Sequence, residues 1–141
     1  MRLKIKSGFF GGCILELPLL LLCGGVGYYG IETFFRGYSH WSMAICGAIC
    51  FLGIYRINER WLFLPLWVRA IICAGLITSV ELAAGCILNL WLGLGVWNYS
   101  EVPLNLWGQI CLPFFVLWFL LSLGAAGLCR LIRKRIFLHP E

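Results

Sequence analysis

Apolar residues run along this chain in four long blocks separated by short polar or glycine-rich stretches, at about Leu15–Phe34, Trp41–Ile57, Ala70–Leu92 and Leu106–Cys129. About 20 apolar residues are needed to cross a hydrocarbon core about 30 Å thick, and the blocks are close to that length. The pattern predicts an all-α membrane protein, a four-transmembrane-helix bundle forming one domain over residues 1–141. The connections are too short to hold a soluble domain.

The blocks differ in what they offer a neighbouring helix. In the first, Gly24, Gly27 and Gly30 recur every three residues, and in the second Ser42, Cys46 and Cys50 recur every four. Small residues let helices approach closely where lipid supplies no hydrophobic drive. The third places Glu81, Gly85 and Asn89 on one face, with Gly75, Ser79 and Ala83 about 200° around the helix. Both faces are small or polar, so span three is expected at the centre of the bundle or of a homodimer. Pro113 stands early in the fourth block, where it either kinks the helix or marks its first turns.

Composition makes the bilayer the solvent. With 62% hydrophobic and 12% charged residues and a mean hydropathy of +0.93, the chain lies far from soluble usage, which is nearer half apolar and a quarter charged. The net charge of +5 does not signal nucleic acid, because ten of the eleven basic residues sit at span ends. Arg2, Lys4 and Lys6 precede span one, Arg56, Arg60 and Arg69 flank the second connection, and Arg130, Arg133, Lys134 and Arg135 follow span four. By the positive-inside rule both termini face the cytoplasm, which requires an even number of spans. The basic tail is expected against anionic headgroups of the lipid bilayer.

The cysteines, Cys13, Cys23, Cys46, Cys50, Cys73, Cys86, Cys111 and Cys129, fall within or beside the apolar blocks with no CxxC pair. They read as small buried hydrophobes, and no metal site or cofactor is assigned. The N-terminus has basic residues ahead of an apolar run, but Glu16 and Pro18 interrupt it and no small-residue cleavage site follows. It reads as an uncleaved first span.

Candidate chemistry gathers at the end away from the basic residues. The stretch VWNYSEVPLNLWGQ from Val96 to Gln109 is a polar island between two apolar spans. Its connection holds no Lys or Arg, and Trp91, Trp97, Tyr99 and Trp107 suit an interfacial belt. Glu81 lies 12 residues from Arg69, roughly 18 Å at the helical rise, which is near mid-membrane. A carboxylate there faces a partner, a cavity or a proton. Glu32 and Arg36 have the acid-first i, i+4 order of a helical ion pair. Gly37 is expected to break the helix before His40.

A ligand-binding set follows: Glu32, Arg36, His40, Glu81, Asn89, Asn98, Tyr99, Asn105 and Gln109 lining an outward-opening polar pocket. There Arg36 binds an anionic group or holds Glu81 charged, Glu81 couples to protonation, and the aromatics form the mouth. Plainer readings stand beside these. Glu81 is also explained as helix-to-helix glue, Glu32 and Arg36 as a self-neutralising pair, and His40 as an interfacial anchor. Asn105 and Gln109 are also explained as partners for backbone groups at the start of span four. Glu16 is expected to pair with the basic N-terminus. Asn98-Tyr99-Ser100 has the N-x-S pattern but lies close to a span end.

No P-loop, GxSxG or HExxH occurs, and no catalytic residue is assigned. Three function classes remain: a transport or small-molecule-binding component, an intramembrane enzyme on a lipid-like substrate using Glu81 or His40 as acid/base, and a structural or assembly subunit.

The run Glu32-Thr33-Phe34-Phe35-Arg36-Gly37-Tyr38-Ser39-His40-Trp41-Ser42-Met43, then Glu81, Asn89, Val96-Trp97-Asn98-Tyr99-Ser100 and Pro103 through Gln109, resembles the bacterial family labelled putative ABC transporter type IV. That family usually carries Asp where this chain has Asn98. The resemblance implies a small multi-span protein of the bacterial cytoplasmic membrane. An ABC role for a chain without an ATPase motif implies a separate ATPase chain as partner.

Overall fold

The computed structural model describes residues 16–135, so Arg2, Lys4, Lys6, Cys13, the expected Leu15 start of span one and the tail after Arg135 lie outside the described residues. Among the described residues four helices are long and apolar enough to cross a membrane. They are α1 (Glu16–Arg36), α2 (Trp41–Arg60), α3 (Leu66–Gly85) and α4 (Leu112–Arg135). A π-helical turn, Cys86–Trp91, prolongs α3 into a segment of 26 residues.

Local chemistry sets the ends. Gly37, at φ 79°, donates its N–H to Thr33 O at 2.8 Å and stops α1, the left-handed cap that glycine adopts without penalty. His40 is the N-cap of α2, accepting from Ser42 N. Pro65 precedes α3, and its carbonyl accepts from Val68 N and Arg69 N at 3.1 and 3.2 Å. With φ already fixed by the ring, the helix starts at Leu66, ahead of the expected Ala70.

The fourth helix starts later than its apolar block suggests. Two short strands, β1 (Asn105–Leu106) and β2 (Ile110–Cys111), pair antiparallel with Leu106 opposite Ile110. Trp107 and Gly108, at φ 53° and 68°, form the left-handed centre of the turn, which Gln109 N closes onto Leu106 O at 3.0 Å. Pro113 is then the second residue of α4, where a missing N–H costs nothing. At the other end α4 runs past Cys129 to Arg135, so Arg133, Lys134 and Arg135 sit on its last turn, the end of the helix dipole that favours cations.

The helices pack as two hairpins, α1 with α2 and α3 with α4, joined mainly where α2 meets α3 and α4. Leu20, Ile54, Tyr55, Cys73, Ile77, Trp118, Cys129 and Ile132 belong to the main buried core. Between α1 and α2 the close approach is at Gly24, Gly25 and Gly47. A Cβ on Gly24 would lie 2.6 Å from Gly47 O, and one on Gly47 would lie 2.7 Å from Gly24 O. Gly27 and Gly30 have nothing within 4 Å, so the expected three-glycine face narrows to one contact. Leu22, Val26, Ile45, Ile49, Leu120 and Leu128 are exposed on the helix sides, the faces that lipid covers.

Span three is central on one face only. Arg69, Cys73, Ile77, Glu81 and Gly85, four residues apart, are all buried. Ser79 and Ala83 on the other side are exposed, and the Ser79 hydroxyl folds back onto Gly75 O at 2.7 Å.

Candidate functional site

Glu81 is 4% exposed, inside the bundle. Trp118 of α4 donates its indole Nε1–H to Glu81 Oε2 at 2.9 Å. The same indole lies 5.8 Å from the Tyr28 ring and 6.4 Å from the Phe114 ring, centroid to centroid. Among the described residues Glu81 makes no ion pair. The expectation that Arg36 holds Glu81 charged is corrected here, because the Arg36 guanidinium is committed elsewhere.

The buried stripe of α3 continues outward into a second contact with the end of the hairpin. A Cβ on Gly85 would stand 2.9 Å from the Gln109 Cβ and 2.5 Å from its Oε1, so glycine is what lets the Gln109 side chain lie against α3. One turn further, Asn89 Nδ2 donates to Gln109 Oε1 at 2.8 Å and to Trp97 O at 3.0 Å, while Asn89 Oδ1 accepts from Val96 N at 2.7 Å. Asn89 sits within the π turn, where the chain winds more widely than in an α-helix. The turn closes with Leu92 N on Ile87 O at 2.9 Å.

Residues after the π turn fold back over the bundle as a cap. Val96 and Trp97 are buried with Met43 of α2 in a second small core. Trp97 donates Nε1–H to Gln109 O at 2.9 Å, and Gln109 Nε2 donates to Trp107 O at 2.9 Å. Tyr99 stacks on Phe114 at 4.6 Å, and its N–H bonds Gly108 O at 2.7 Å. Burial, followed by the Glu81 carboxylate, pushes the Tyr99 hydroxyl above the ordinary tyrosine range. Trp97 and Tyr99 therefore turn inward, whereas Trp91 and Trp107 stay exposed in the expected belt position.

Asn98 and Asn105 shape the cap's outer turn. Asn98 Oδ1 accepts from Ser100 N at 2.9 Å and Ser100 Oγ at 2.6 Å, an Asx-turn geometry. Asn105 Nδ2 donates to Val102 O at 2.9 Å and Ser100 O at 3.2 Å, and its Oδ1 accepts from Gly108 N at 3.0 Å.

The α1–α2 turn meets this cap from the other side. Arg36 Nη1 pairs with Glu32 Oε1 at 2.6 Å. Arg36 Nη2 donates to Val96 O at 3.0 Å and Tyr38 Oη at 3.2 Å, with the guanidinium 5.0 Å from the Tyr38 ring centre. Ser39 Oγ donates to the other Glu32 oxygen at 2.5 Å. His40 Nδ1 is 2.7 Å from Ser42 Oγ and serves the start of α2.

Eight of the nine sequence-derived residues thus gather in three places at one end of the bundle, and Glu81 lies inside it. Asn89 and Gln109 tie α3 to the hairpin. Asn98, Tyr99 and Asn105 hold the cap's own turns. Glu32 and Arg36 join the cap to α1, with His40 beside them. Glu81 lies below with Trp118. Two residues escaped the sequence reading: Trp118, which follows Phe114 and precedes Ser122 at four-residue spacing on α4, and Arg69, read as a flanking charge but 6% exposed. The four-residue stripe running back from Glu81 through Ile77 and Cys73 was the available signal for Arg69.

A family model described as Putative ABC-transporter type IV matches residues 10–139. Neither a curated protein nor a solved structure matches the chain.

Proposed function

The chain belongs to the putative ABC-transporter type IV family, and from that premise we propose that it is the membrane-spanning component of a transport system in the bacterial cytoplasmic membrane. Glu81 is the side chain that engages the transported solute or a coupling proton. The observation that carries this reading is a carboxyl group 4% exposed inside a membrane bundle, with one neutral hydrogen-bond donor and, among the described residues, no ion-pair partner. Placing an acidic side chain at a span centre costs about 3 kcal/mol on insertion scales. A single indole N–H offsets only part of that.

The cap would be the entrance. Passage to Glu81 from this end requires Arg36 to part from Val96 O, or Gln109 from Asn89. Arg36, half of an ion pair whose acid is the more buried member, is then the group available to meet an anionic solute. No P-loop occurs in the sequence, so nucleotide hydrolysis would come from a separate ATPase chain. A second copy would pack across Ser79 and Ala83.

Native mass spectrometry of the chain extracted with its own lipids, wild type against Glu81→Gln, tests the reading. An identified ATPase chain that copurifies, or a small molecule bound to wild type and lost from the variant, supports it. A chain with neither, unchanged by the substitution, overturns it.

The amide commitments favour a second reading. Asn89, Asn98, Asn105 and Gln109 spend their polar atoms on backbone groups and on one another, as a structural or assembly subunit would require. Under that reading substitutions in the cap lower abundance and partner association, with no solute involved.

A further inference from the structure

The end of the bundle opposite the cap holds a cavity of about 320 Å³ between α2, α3 and α4. Four cations line it: Arg69 from α3 and Arg130, Arg133 and Lys134 from α4. Glu59 is the acid in the lining, and it is already paired with Arg56 at 3.1 Å. The buried Glu16 lies nearby, facing the hydroxyl of Tyr55. The lining therefore carries an excess of positive charge.

Arg69 differs from the cations at the mouth. It is 6% exposed, and its Nη1 donates to Asn58 Oδ1 at 3.1 Å and Asn58 O at 3.4 Å, both neutral acceptors. Among the described residues it has no carboxylate partner, and its buried Nε–H has no acceptor. A guanidinium taken out of water needs an anion and acceptors for its remaining donors. Its planar fork fits two oxygens of a phosphate better than a lone carbonyl. Asn58 holds one side of the guanidinium and so fixes the orientation of the rest.

We propose that this cavity binds a phosphate group, with Arg69 as its buried ligand and Arg133 and Lys134 closing over it from α4. The source of the phosphate is a lipid headgroup from the adjoining leaflet or a free phosphate from the aqueous phase. Apolar surface continues from the cations: Leu66 and Leu123 line the cavity, and Gly124 and Gly127 on α4 have open space beside them. That groove suits the glycerol and first methylenes of a lipid. The volume, at the lower end of the ligand-pocket range, holds a headgroup and not a whole lipid. Basic residues gathered at this end mark the cytoplasmic leaflet, the one rich in anionic lipid. The site is independent of Glu81 and of the transport reading.

The test is native mass spectrometry of the full chain in detergent, titrated with phosphatidylglycerol, phosphatidylcholine or inorganic phosphate. Wild type should retain one phosphatidylglycerol more strongly than phosphatidylcholine. Arg69→Gln, with its helicity checked by circular dichroism, should weaken that retention by about tenfold. Arg133→Gln/Lys134→Gln leaves the buried core untouched and should weaken it severalfold even if Arg69→Gln fails to fold. Arg135→Gln, which removes an exposed cation of the same end outside the lining, should leave it unchanged. If inorganic phosphate binds wild type and displaces the lipid, the free anion is the ligand; if it does neither, the headgroup is. Equal retention of the two lipids with no phosphate binding, or equal losses from the cavity variants and Arg135→Gln, overturns the proposal.

Discussion

Arg69 and Glu81 stand on the same buried stripe of α3, twelve residues apart in the sequence and roughly 18 Å along the axis, too far to neutralise one another. Each is hydrogen-bonded to neutral groups, Arg69 to Asn58 and Glu81 to Trp118. One helix thus carries a buried acid and a buried base, each held by a neutral partner.

Trp118→Phe keeps the ring's packing and removes the donor to Glu81. The expected cost is about 1–3 kcal/mol, read as a lower midpoint of thermal unfolding in detergent. Adding Glu81→Leu should restore part of the loss, because removing both partners leaves no unsatisfied carboxylate. A double variant less stable than Trp118→Phe alone would mean that the indole bond is not what holds Glu81.

Gly47→Ala places a methyl group against Gly24 O and the Tyr28 side chain. The α1–α2 hairpin must open to admit it, at about 1–3 kcal/mol. Gly27→Ala, whose Cβ would meet nothing within 4 Å, should be neutral. Unfolding midpoints of the pair check the assignment of the helix contact.

Gly108→Ala combines a left-handed backbone with a Cβ 2.8 Å from Asn98 Oδ1. Loosening of the cap is the expected outcome, measured as faster proteolysis between residues 98 and 108, with the four helices retained by circular dichroism. Unchanged protease resistance would show that the hairpin does not depend on this turn.

Arg36→Gln removes the bond to Val96 O and the ion pair with Glu32. A partly exposed pair is worth about 0–1 kcal/mol, so global stability should barely move. Hydrogen exchange of the backbone from 93 to 99 should quicken. A large global loss with no local change would contradict the role of Arg36 as the tie between α1 and the cap.

Tyr99 gives a pH dependence whose sign is fixed. Its hydroxyl is pushed up in the folded chain, whereas an unfolded tyrosine ionises near about pH 10. Above that pH the unfolded state loses a proton that the folded state keeps, so stability falls as pH rises. Tyr99→Phe retains the stack on Phe114 and should flatten the decline in unfolding midpoint above about pH 10.

The features legible in the sequence are those set by local spacing. Four apolar blocks gave four helices, Gly37 ended α1, and the i, i+4 order of Glu32 and Arg36 became an ion pair. The late start of α4 was not legible, because its turn needs a left-handed Trp107, a conformation the residue type argues against. Trp97 looked like a belt residue because its inward position depends on Gln109, twelve residues away. Arg69 was hidden for a different reason: a cation near a span end reads as a solvated flank, and only the partners of neighbouring helices decide which way it faces.

The ion pair in the α1–α2 turn also bears on how the chain enters a bilayer. The Gly37–His40 and Leu92–Leu104 connections at the capped end contain no lysine or arginine, and Arg36 at the edge of the first is the cation of that end among the described residues. With Glu32 at 2.6 Å, the leading tip of the α1–α2 hairpin carries its counter-ion with it. If the capped end is the one translocated, as the basic residues of the opposite end predict, insertion moves a nearly neutral tip through the hydrocarbon, and the biosynthetic machinery is spared the translocation of a naked guanidinium.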